Sequence, residues 1–361
     1  MSKNTFILTL LLFVATASFA QEKKFSLYGI GFYNLENLFD TCHDEGRNDY
    51  QFLPDGPNKW NGLKYKHKLR NMARVLSEMG TDKLPGLGCA AIGVSEVENA
   101  NCLRDLCNQE PLKARNFQFV HIEGPDKRGV DCALLYNPRL FQVRNTKLVP
   151  YVYVKPEDRD RATRGFLTVS GTLAGEHVTI IVNHLPSRGA EPFYRNEGGR
   201  QLRILKDSLL KDDPRVKLLI MGDMNDDPQN KSMAEFLGAR RKMKDVENDG
   251  LWNPWWDVLA SGTGTLQYDG KWNLFDQIIL SRSLLDVKSF KGGKHPSVSQ
   301  VDCRSLRYWD HKIFRRDYLF QKEGKYKGNT LRTHAGGTWL DGYSDHLPTV
   351  VYLIKQARSD K

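Results

Sequence analysis

Short, apolar, β-rich runs recur along the whole chain, and they limit the possible folds more than any other feature. Several are continuously apolar, as expected for strands that are buried on both faces or that lie in a sandwich core. The predicted strands are Leu27–Tyr33, Ala90–Val94, Phe117–Ile122, Cys132–Tyr136, Phe166–Leu173, Val178–His184, Lys217–Met221, Gln277–Leu280 and Thr349–Ile354. Because helical segments fall between only some of these strands, the pattern favours a sheet packed on a sheet, with helices outside, over a regular βαβ alternation.

Three segments have the 3.6-residue periodicity of amphipathic helices. They are Lys66–Met79, Asn196–Leu210 and Lys231–Leu237. The sequence contains no internal repeat, no low-complexity segment and no change of composition that would mark a linker. We therefore predict a single domain over residues 21–361, and a hydrophobic content of 40% excludes a disordered chain.

The first 20 residues carry the only long apolar run, which extends from Phe6 to Ala20. Lys3 precedes this run, and the small residues Ser18 and Ala20 stand where a signal peptidase cleaves. A run of about 15 residues is short for a membrane-spanning helix. We predict that residues 1–20 are a cleaved signal peptide and that the protein is periplasmic or secreted, with no integral membrane segment.

The chain is basic, with a formal net charge of +10 from 53 Lys and Arg against 43 Asp and Glu. Most of this excess lies in residues 288–332, which contain 12 basic and 4 acidic residues, a net charge of +8. We interpret this segment as a basic insertion between Asp276 and Asp345. An anion-binding surface and an ordinary solvated surface are both compatible with it, and the first implies a partner such as nucleic acid, a phospholipid headgroup or a phosphorylated metabolite.

Polar residues cluster where the apolar runs begin or end. Each carboxylate alone is compatible with a turn or a helix cap. If the strand ends meet at one edge of a sandwich, however, they form a group of carboxylates, amides and imidazoles, and such oxygen-rich sites suit Mg²⁺. The six polar blocks are Tyr33–Leu38, Gly93–Asn99, Val182–Arg188, Met221–Pro228, Asn273–Ile279 and Gly342–Pro348.

The order and spacing of these blocks resemble those of the endonuclease/exonuclease/phosphatase superfamily, the DNase I-like group, from Gly31 to Val350. The most specific part is Gly-Asp-Met-Asn at 222–225 followed by Ser-Asp-His at 344–346. The resemblance implies an α/β (α+β) fold, a four-layer sandwich of two mixed β-sheets packed face to face with helices on the outside. It also implies a secreted bacterial phosphoesterase, which we expect to be a monomer.

The resemblance further implies a Mg²⁺ site, for which Mn²⁺ or Ca²⁺ could substitute. Glu96 matches the principal metal-binding glutamate of the superfamily. Asn34 matches its first-strand asparagine, Glu36 stands where many members have an acidic residue near the metal, and Asp345 belongs to the closing Asp-His pair. We assign these four residues to the metal site.

Five residues match the catalytic positions of the superfamily. His184 matches an imidazole beside the scissile phosphate, and Asp223 and Asn225 match the pair near the attacking water. Asp276 matches the carboxylate that orients His346. Either Asp223 or His346 could deprotonate the water; we favour Asp223 as the base and His346 as an electrostatic clamp.

Other polar and aromatic residues near these blocks are candidates for binding substrate. Arg188 could hold a phosphate in a bidentate manner, with Asn183 beside it, although an ordinary surface arginine is equally compatible with the sequence. Trp252, Trp255 and Trp256 could stack on bases, but packing in the core or a loop is the more common use of such a cluster.

The sequence therefore predicts a Mg²⁺-dependent phosphoric ester hydrolase, most simply a phosphodiesterase or endonuclease that cleaves DNA or RNA by metal-assisted attack of water. A sphingomyelinase-like enzyme or a phosphatase of phosphorylated metabolites is the alternative on the same scaffold. A catalytically silent binding module is a further alternative, although every expected polar position is filled. A serine hydrolase is excluded because Gly93–Val97 lacks the second glycine of a nucleophile elbow.

Overall fold

A computed structural model describes residues 24–290 and 296–357. The predicted signal peptide, residues 1–20, lies outside the described residues. The strands are β1 (Phe25–Leu38), β2 (Cys89–Val97), β3 (Gln118–His121), β4 (Asp131–Tyr136), β5 (Phe141–Val149), β6 (Phe166–Leu173), β7 (Glu176–His184), β8 (Lys217–Asp223), β9 (Ala239–Arg240), β10 (Leu251–Trp252), β11 (Leu266–Tyr268), β12 (Lys271–Asn273), β13 (Asp276–Ser281), β14 (Arg307–Ile313), β15 (His334–Ala335), β16 (Thr338–Trp339) and β17 (Thr349–Gln356).

These strands form two large sheets. The six-stranded sheet has the order β14-β17-β1-β2-β4-β3, and the seven-stranded sheet has the order β5-β6-β7-β8-β13-β10-β9. Both sheets are mixed, because β1 and β2 are parallel in the first and β7 and β8 are parallel in the second, while their other long strands pair antiparallel. The predicted sandwich of two mixed sheets is confirmed.

Helices cover the outside of the sheets. They are α1 (Gly62–Glu78), α2 (Ala100–Cys107), α3 (Glu110–Lys113), α4 (Pro192–Asp212), α5 (Trp255–Ala260) and a π-helix at Ser232–Leu237. Asn61 caps α1, since its side chain accepts hydrogen bonds from the backbone N–H groups of Leu63 and Lys64. Among the helices in residues 24–290 and 296–357, none combines the length and the apolar composition that crossing a bilayer requires.

The core lies between the two sheets. Ile92 of one sheet and Val182, Met221 and Ile278 of the other are fully buried members of a single apolar cluster. A glycine allows close approach here, because a Cβ atom on Gly93 would lie 2.5 Å from Sδ of Met221. The close contact of β2 with the facing sheet brings the ends of strands from both sheets to the same edge.

Two of the long strands, β5 and β14, were not predicted, nor were the short strands β9 to β12, β15 and β16. β5 and β14 lie at the edges of their sheets and contain several charged or polar residues, as in Arg307–Ile313. The basic segment 288–332 is therefore not one continuous insertion, since β14 within it pairs with β17 in the main sheet.

Candidate active site

The candidate site forms where strands of the two sheets end side by side. Asp223 lies at the end of β8, and the strand register places His184 of β7 and Asp276 of β13 directly beside it. Asn34, from β1 of the opposite sheet, donates a hydrogen bond from Nδ2 to Oδ2 of Asp223 at 3.0 Å. The structure therefore brings these four sequence-predicted residues together, and one hydrogen bond links the two sheets at this edge.

Several residues at these strand ends adopt a left-handed backbone. The φ angles are 49° at Glu36, 59° at Asn37, 59° at Glu96 and 49° at Asn225. Local hydrogen bonds hold this strained geometry: Glu96 Oε2 accepts from the backbone N–H of Asn37 at 3.0 Å, and Asp223 Oδ1 accepts from that of Asn225 at 2.9 Å. Backbone strain of this kind is typical of functional sites, where the surrounding structure fixes side-chain directions.

Asp276 and His346 form a buried pair. His346 Nδ1 lies 2.7 Å from Oδ2 of Asp276, and the Asp276 side chain is fully buried. The backbone N–H of Asp276 donates to Oγ1 of Thr265 at 3.2 Å, which fixes the start of β13. The other imidazole nitrogen, Nε2, lies 3.8 Å from Oδ2 of Asp223, so the carboxylate of Asp276 directs the imidazole towards Asp223.

The two histidines of the site have opposite pKa shifts. Burial by itself lowers the pKa of His346, but the carboxylates of Asp276, Asp223 and Asp345 outweigh it and raise this pKa well above the usual value. Burial, together with the neighbouring cations Arg164 and Arg128, lowers the pKa of His184 well below the usual value. At neutral pH the His346 side chain is therefore cationic and the His184 side chain is neutral.

Asp223 lies between these two imidazoles. Its Oδ2 is 3.5 Å from Nε2 of His184, and burial raises its pKa to about 7, while the cationic His346 opposes this rise. A carboxylate that changes protonation near neutral pH is suited to general base catalysis. This arrangement supports the prediction that Asp223 is the base and that His346 stabilises charge.

Two carboxylates at the edge of the site could hold a divalent metal ion. Glu96 and Asp345 line the cleft, and their side chains are 15% and 22% exposed, which leaves room for the waters that Mg²⁺ retains. Oxygens and an imidazole nitrogen of Asp223, Asp276 and His346 also lie within 4.8 Å of one another. Because Asp276 and His346 are already hydrogen-bonded and buried, we assign the metal to the more open pair.

Glu36 differs from its predicted position beside a metal. Its Oε1 accepts a hydrogen bond from Nε of Arg332 at 2.8 Å, and its Oε2 accepts one from the backbone N–H of Thr333, also at 2.8 Å. The residue is buried and does not line the cleft in the part of the chain that the structure describes. Glu36 thus anchors Arg332, whose Nη2 in turn donates to Oδ2 of Asp345 at 2.9 Å.

The two predicted substrate-binding residues contact other residues next to the cleft. The guanidinium group of Arg188 donates to the backbone oxygen of Asn225, to the side chain of Asn273 and to Asp227. Asn183 is fully buried and donates from Nδ2 to the backbone oxygen of Met221 at 2.8 Å. Both residues therefore hold the loops and strands beside the site, and neither is among the described residues that line the cleft.

The cleft has a volume of about 520 Å³, and cationic residues line it together with the carboxylates. These residues are Lys127, Arg128, Arg161 and Arg164. Arg164 donates to Asp126 at 2.9 Å and to the backbone oxygen of His184 at 3.1 Å. The sequence did not predict these residues, because they lie in connections between strands and belong to none of the polar strand-end blocks.

Comparison with known proteins identifies the family. A family model described as the endonuclease/exonuclease/phosphatase family matches residues 29–355. The chain belongs to this family. Its members are phosphoester hydrolases that use divalent metal ions, which agrees with the carboxylates and imidazoles gathered in the cleft. Among curated proteins, none matches the chain.

Solved structures of similar fold include other family members. A family protein from Bacteroides thetaiotaomicron is 14% identical with a TM-score of 0.52, covering 92% of this chain and 100% of that one. The mannosyl-6-phosphatase Bt3783 of the same organism is 14% identical with a TM-score of 0.53, covering 90% and 99%. D. rerio TDP2, complexed with single strand DNA product, is 13% identical with a TM-score of 0.51, covering 91% and 99%. At these identities the similarity concerns the fold alone.

The basic residues of the segment 288–332 lie at different distances from the cleft. Arg307 is at the end of β14 that pairs with Ile354, far from the catalytic edge, and Arg304 is an exposed residue paired with Asp302. Among the described basic residues of the segment, Arg332 contacts the candidate metal site, through Asp345. Of the tryptophan cluster, Trp255 is fully buried in the core, as expected from the more common use of such residues.

The pKa of Asp223 predicts how activity depends on pH and on metal. Protonation of a base with a pKa of about 7 removes activity at acid pH, and a bound divalent cation favours the carboxylate form. We therefore expect kcat/KM to fall with decreasing pH, with a midpoint that lies at lower pH under saturating than under limiting Mg²⁺. Rate profiles at several Mg²⁺ concentrations test this, and a midpoint that does not move with Mg²⁺ would contradict it.

Proposed function

We propose that the protein is a Mg²⁺-dependent phosphodiesterase that hydrolyses DNA or RNA. The observation that carries this proposal is that the carboxylates of the candidate site and the cationic residues Lys127, Arg128, Arg161 and Arg164 line one cleft. The carboxylates suit a metal ion, and the cationic residues suit a substrate with more than one phosphate. The net charge of +10 is consistent with a polyanionic substrate.

The geometry supports a distinct role for each catalytic side chain. Asp223 accepts the proton of the attacking water, and the cationic His346 stabilises negative charge on the phosphoryl oxygens. Asp276 holds His346 in the orientation and charge state that this role requires, through the 2.7 Å contact to Nδ1. A metal ion held by Glu96 and Asp345 would neutralise the phosphoryl oxygens and position the scissile group.

Asn225 and the neutral His184 complete the arrangement around the scissile phosphate. Asn225 donates from Nδ2 to the backbone oxygen of Leu185 at 3.0 Å, which fixes it beside Asp223. Nε2 of His184 lies 3.9 Å from Oε1 of Glu96. An uncharged imidazole can donate one hydrogen bond without competing with the metal ion for the carboxylates.

A second candidate function is hydrolysis of a small phosphorylated metabolite. The volume of the cleft, about 520 Å³, falls within the range of 300 to 1,000 Å³ that is usual for small-molecule sites. Such an enzyme would act on isolated phosphoesters and would bind long nucleic acids weakly.

The deciding experiment measures metal-dependent turnover of five substrates side by side. They are plasmid DNA, RNA, sphingomyelin, a phosphorylated sugar and a bis-aryl phosphodiester. We expect turnover of the bis-aryl diester and of at least one nucleic acid, each abolished by a chelator and restored by Mg²⁺. Turnover of the phosphorylated sugar alone would replace the proposed function by the second candidate, and turnover of sphingomyelin alone would point to a lipid phosphodiesterase.

We also propose that the protein is exported after cleavage between Ala20 and Gln21. The apolar run from Phe6 to Ala20 and the small residues before the junction support this. When the full chain is expressed in a bacterium, we expect the periplasmic or secreted protein to begin at Gln21 in N-terminal sequencing. Recovery of the protein only in the cytoplasm, with Met1 or Ser2 at its N-terminus, would contradict the proposal.

A further inference from the structure

The cationic side chains of the catalytic cleft differ in how far contacts within the protein already occupy them. Arg164 is fully occupied. Its Nε and Nη2 donate to the backbone oxygens of His184 and Leu185 at 3.1 and 3.3 Å. Its Nη1 donates to Oδ2 of Asp126 at 2.9 Å, and the side chain is only 9% exposed. Every guanidinium nitrogen of Arg164 therefore has a partner, and the residue holds the end of β7 in place.

Arg161 is occupied in a different way. Its Nη1 lies 3.0 Å from Oδ1 of Asp158, three residues earlier in the chain. Its guanidinium carbon lies 4.8 Å from the ring centre of Tyr153 and 4.8 Å from that of Tyr194. A carboxylate of the same loop therefore balances the charge of Arg161, and two rings pack against it.

Arg128 differs from both of these arginines. The residue is exposed, and no carboxylate forms an ion pair with it in residues 24–290 and 296–357. Its Nη2 donates to the side-chain oxygen of Asn37, which belongs to an uncharged amide. Nε and Nη1 have no hydrogen-bond partner among the residues that the structure describes. An arginine with two unused donor nitrogens and an unbalanced charge is suited to bind an oxyanion.

Asn37 connects Arg128 to the candidate metal site. It has a left-handed backbone with a φ angle of 59°, and its N–H group donates to Oε2 of Glu96 at 3.0 Å. The main chain of Asn37 thus contacts Glu96, while its side chain contacts Arg128. Arg128, Glu96 and His184 all line the same cleft. The unused nitrogens of Arg128 are therefore held next to the residues that we assign to the scissile phosphate.

The backbone that carries Arg128 is fixed on several sides. Oδ1 of the buried Asp126 accepts a hydrogen bond from the backbone N–H of Arg128 at 2.9 Å, and Oδ2 binds Arg164. Arg47 donates from Nη1 to the backbone oxygen of Asp126 at 2.7 Å. Gly129 follows with a φ angle of 77°, a conformation that favours glycine. A charge that is fixed before the reaction can stabilise a transition state without further rearrangement.

We propose that Arg128 is a catalytic residue that binds a non-bridging oxygen of the scissile phosphoryl group. The unused guanidinium nitrogens donate to this oxygen as its negative charge increases, and Arg128 stays protonated throughout. Asn37 keeps the side chain oriented. The inference rests on the phosphoester hydrolysis of the proposed function, but not on nucleic acid as the substrate. The competing role is purely structural, in which Arg128 only supports Asn37 and, through it, Glu96.

The first test measures kcat of the full mature chain on a bis-aryl phosphodiester at saturating Mg²⁺. Arg128→Ala should lower kcat by about 10²-fold, as expected when one donor to a transition-state oxyanion is removed. Guanidinium chloride should recover about 10-fold of this loss, because it supplies the missing donors, and sodium chloride of equal ionic strength should recover none. Arg139→Ala is the matched control. It removes the same charge from an exposed residue between β4 and β5 that does not line the described cleft, and should change neither kcat nor the response to guanidinium.

The second test separates contact with substrate from support of Glu96. Asn37→Gly removes the amide that orients Arg128 but keeps the backbone N–H that binds Glu96, and glycine adopts the left-handed conformation readily. It should lower kcat by about fivefold or less, because Arg128 itself remains. Circular dichroism and thermal melting establish that each variant is folded.

Two results would overturn the inference. A loss of less than about threefold in Arg128→Ala would show that Arg128 does not contact the reacting group, since it corresponds to less than about 1 kcal/mol of transition-state stabilisation. A loss that guanidinium does not recover, or that Asn37→Gly equals, would show that Arg128 is a positioning residue for Asn37 and Glu96.

Binding of orthovanadate separates this inference from the proposed function, because vanadate resembles the phosphoryl group and is not hydrolysed. In the presence of Mg²⁺, Arg128→Ala should bind vanadate about 10-fold more weakly than the unaltered protein does. If no nucleic acid is hydrolysed but vanadate binding weakens by this factor, the proposed function fails and the role of Arg128 stands. If nucleic acid is hydrolysed but vanadate binds equally well to both proteins, the proposed function stands and the role of Arg128 fails.

Discussion

Glu96→Gln is expected to reduce Mg²⁺-supported turnover by about 10³-fold or more, which corresponds to about 4 kcal/mol of transition-state stabilisation. The change removes the negative charge that the metal ion requires but hardly alters the volume of the side chain. The amide oxygen of Gln can still accept the hydrogen bond from the backbone N–H of Asn37, so the fold should persist. Turnover is measured on the bis-aryl diester across a Mg²⁺ titration.

The matched control for this change is Glu123→Gln. Glu123 is an exposed carboxylate that pairs with Arg47 outside the catalytic cleft, and its substitution removes the same charge. We expect it to leave turnover unchanged. If Glu96→Gln retained turnover within about threefold of the unaltered protein at saturating Mg²⁺, Glu96 would not belong to the metal site.

His346→Ala is expected to lower kcat by at least about 10²-fold, because it removes the cationic group that lies next to Asp223. Asp276→Asn should cause a smaller loss, since Asp276 acts on the reaction through the imidazole of His346. The double variant should then be no worse than His346→Ala alone. Steady-state kinetics of both single variants and the double variant test this relation, and fully additive losses would contradict the proposed pair.

Another Asp-His pair of the protein serves as a control. His177 Nδ1 lies 2.9 Å from Oδ2 of Asp213, but the side chains are 50% and 35% exposed, and His177 is at the opposite end of β7 from His184. His177→Ala should leave kcat unchanged.

His184→Ala should lower kcat by an amount comparable to His346→Ala, since its imidazole lies beside both Glu96 and Asp223.

The sequence predicted the buried part of the fold because burial on both faces leaves a clear pattern. β7 and β8 were recognised from runs such as Val178–His184, and the residues that follow such runs lie at the catalytic edge. β5 and β14 were missed because an edge strand is apolar on only part of its surface, and the charged residues of Arg307–Ile313 hid the strand within a basic segment.

The direction of side chains at the strand ends was harder to predict. Strand alternation predicts which face a residue occupies only while the backbone remains extended. At Glu36 and Asn37 the φ angles become positive, and the register of β1 with β2 shifts after Asn34, so Glu36 binds Arg332 and does not line the described cleft. Arg128 and Arg161 were missed because nothing in the sequence predicts that the loops carrying them fold over the cleft.

The position of β1 within its sheet has a consequence for the order in which the protein can become active. β1 is the first strand of the chain, yet it pairs on one side with β17, the last. The seven-stranded sheet is complete once the ribosome has passed Ser281, but in the six-stranded sheet β1 has only β2 as a neighbour until β17, which ends at Gln356, is synthesised. Contacts between such distant segments form slowly. Because His346 lies just before β17, a chain that stops before His346 would lack the Asp276–His346 pair, and we expect activity to appear only after β17 has paired with β1.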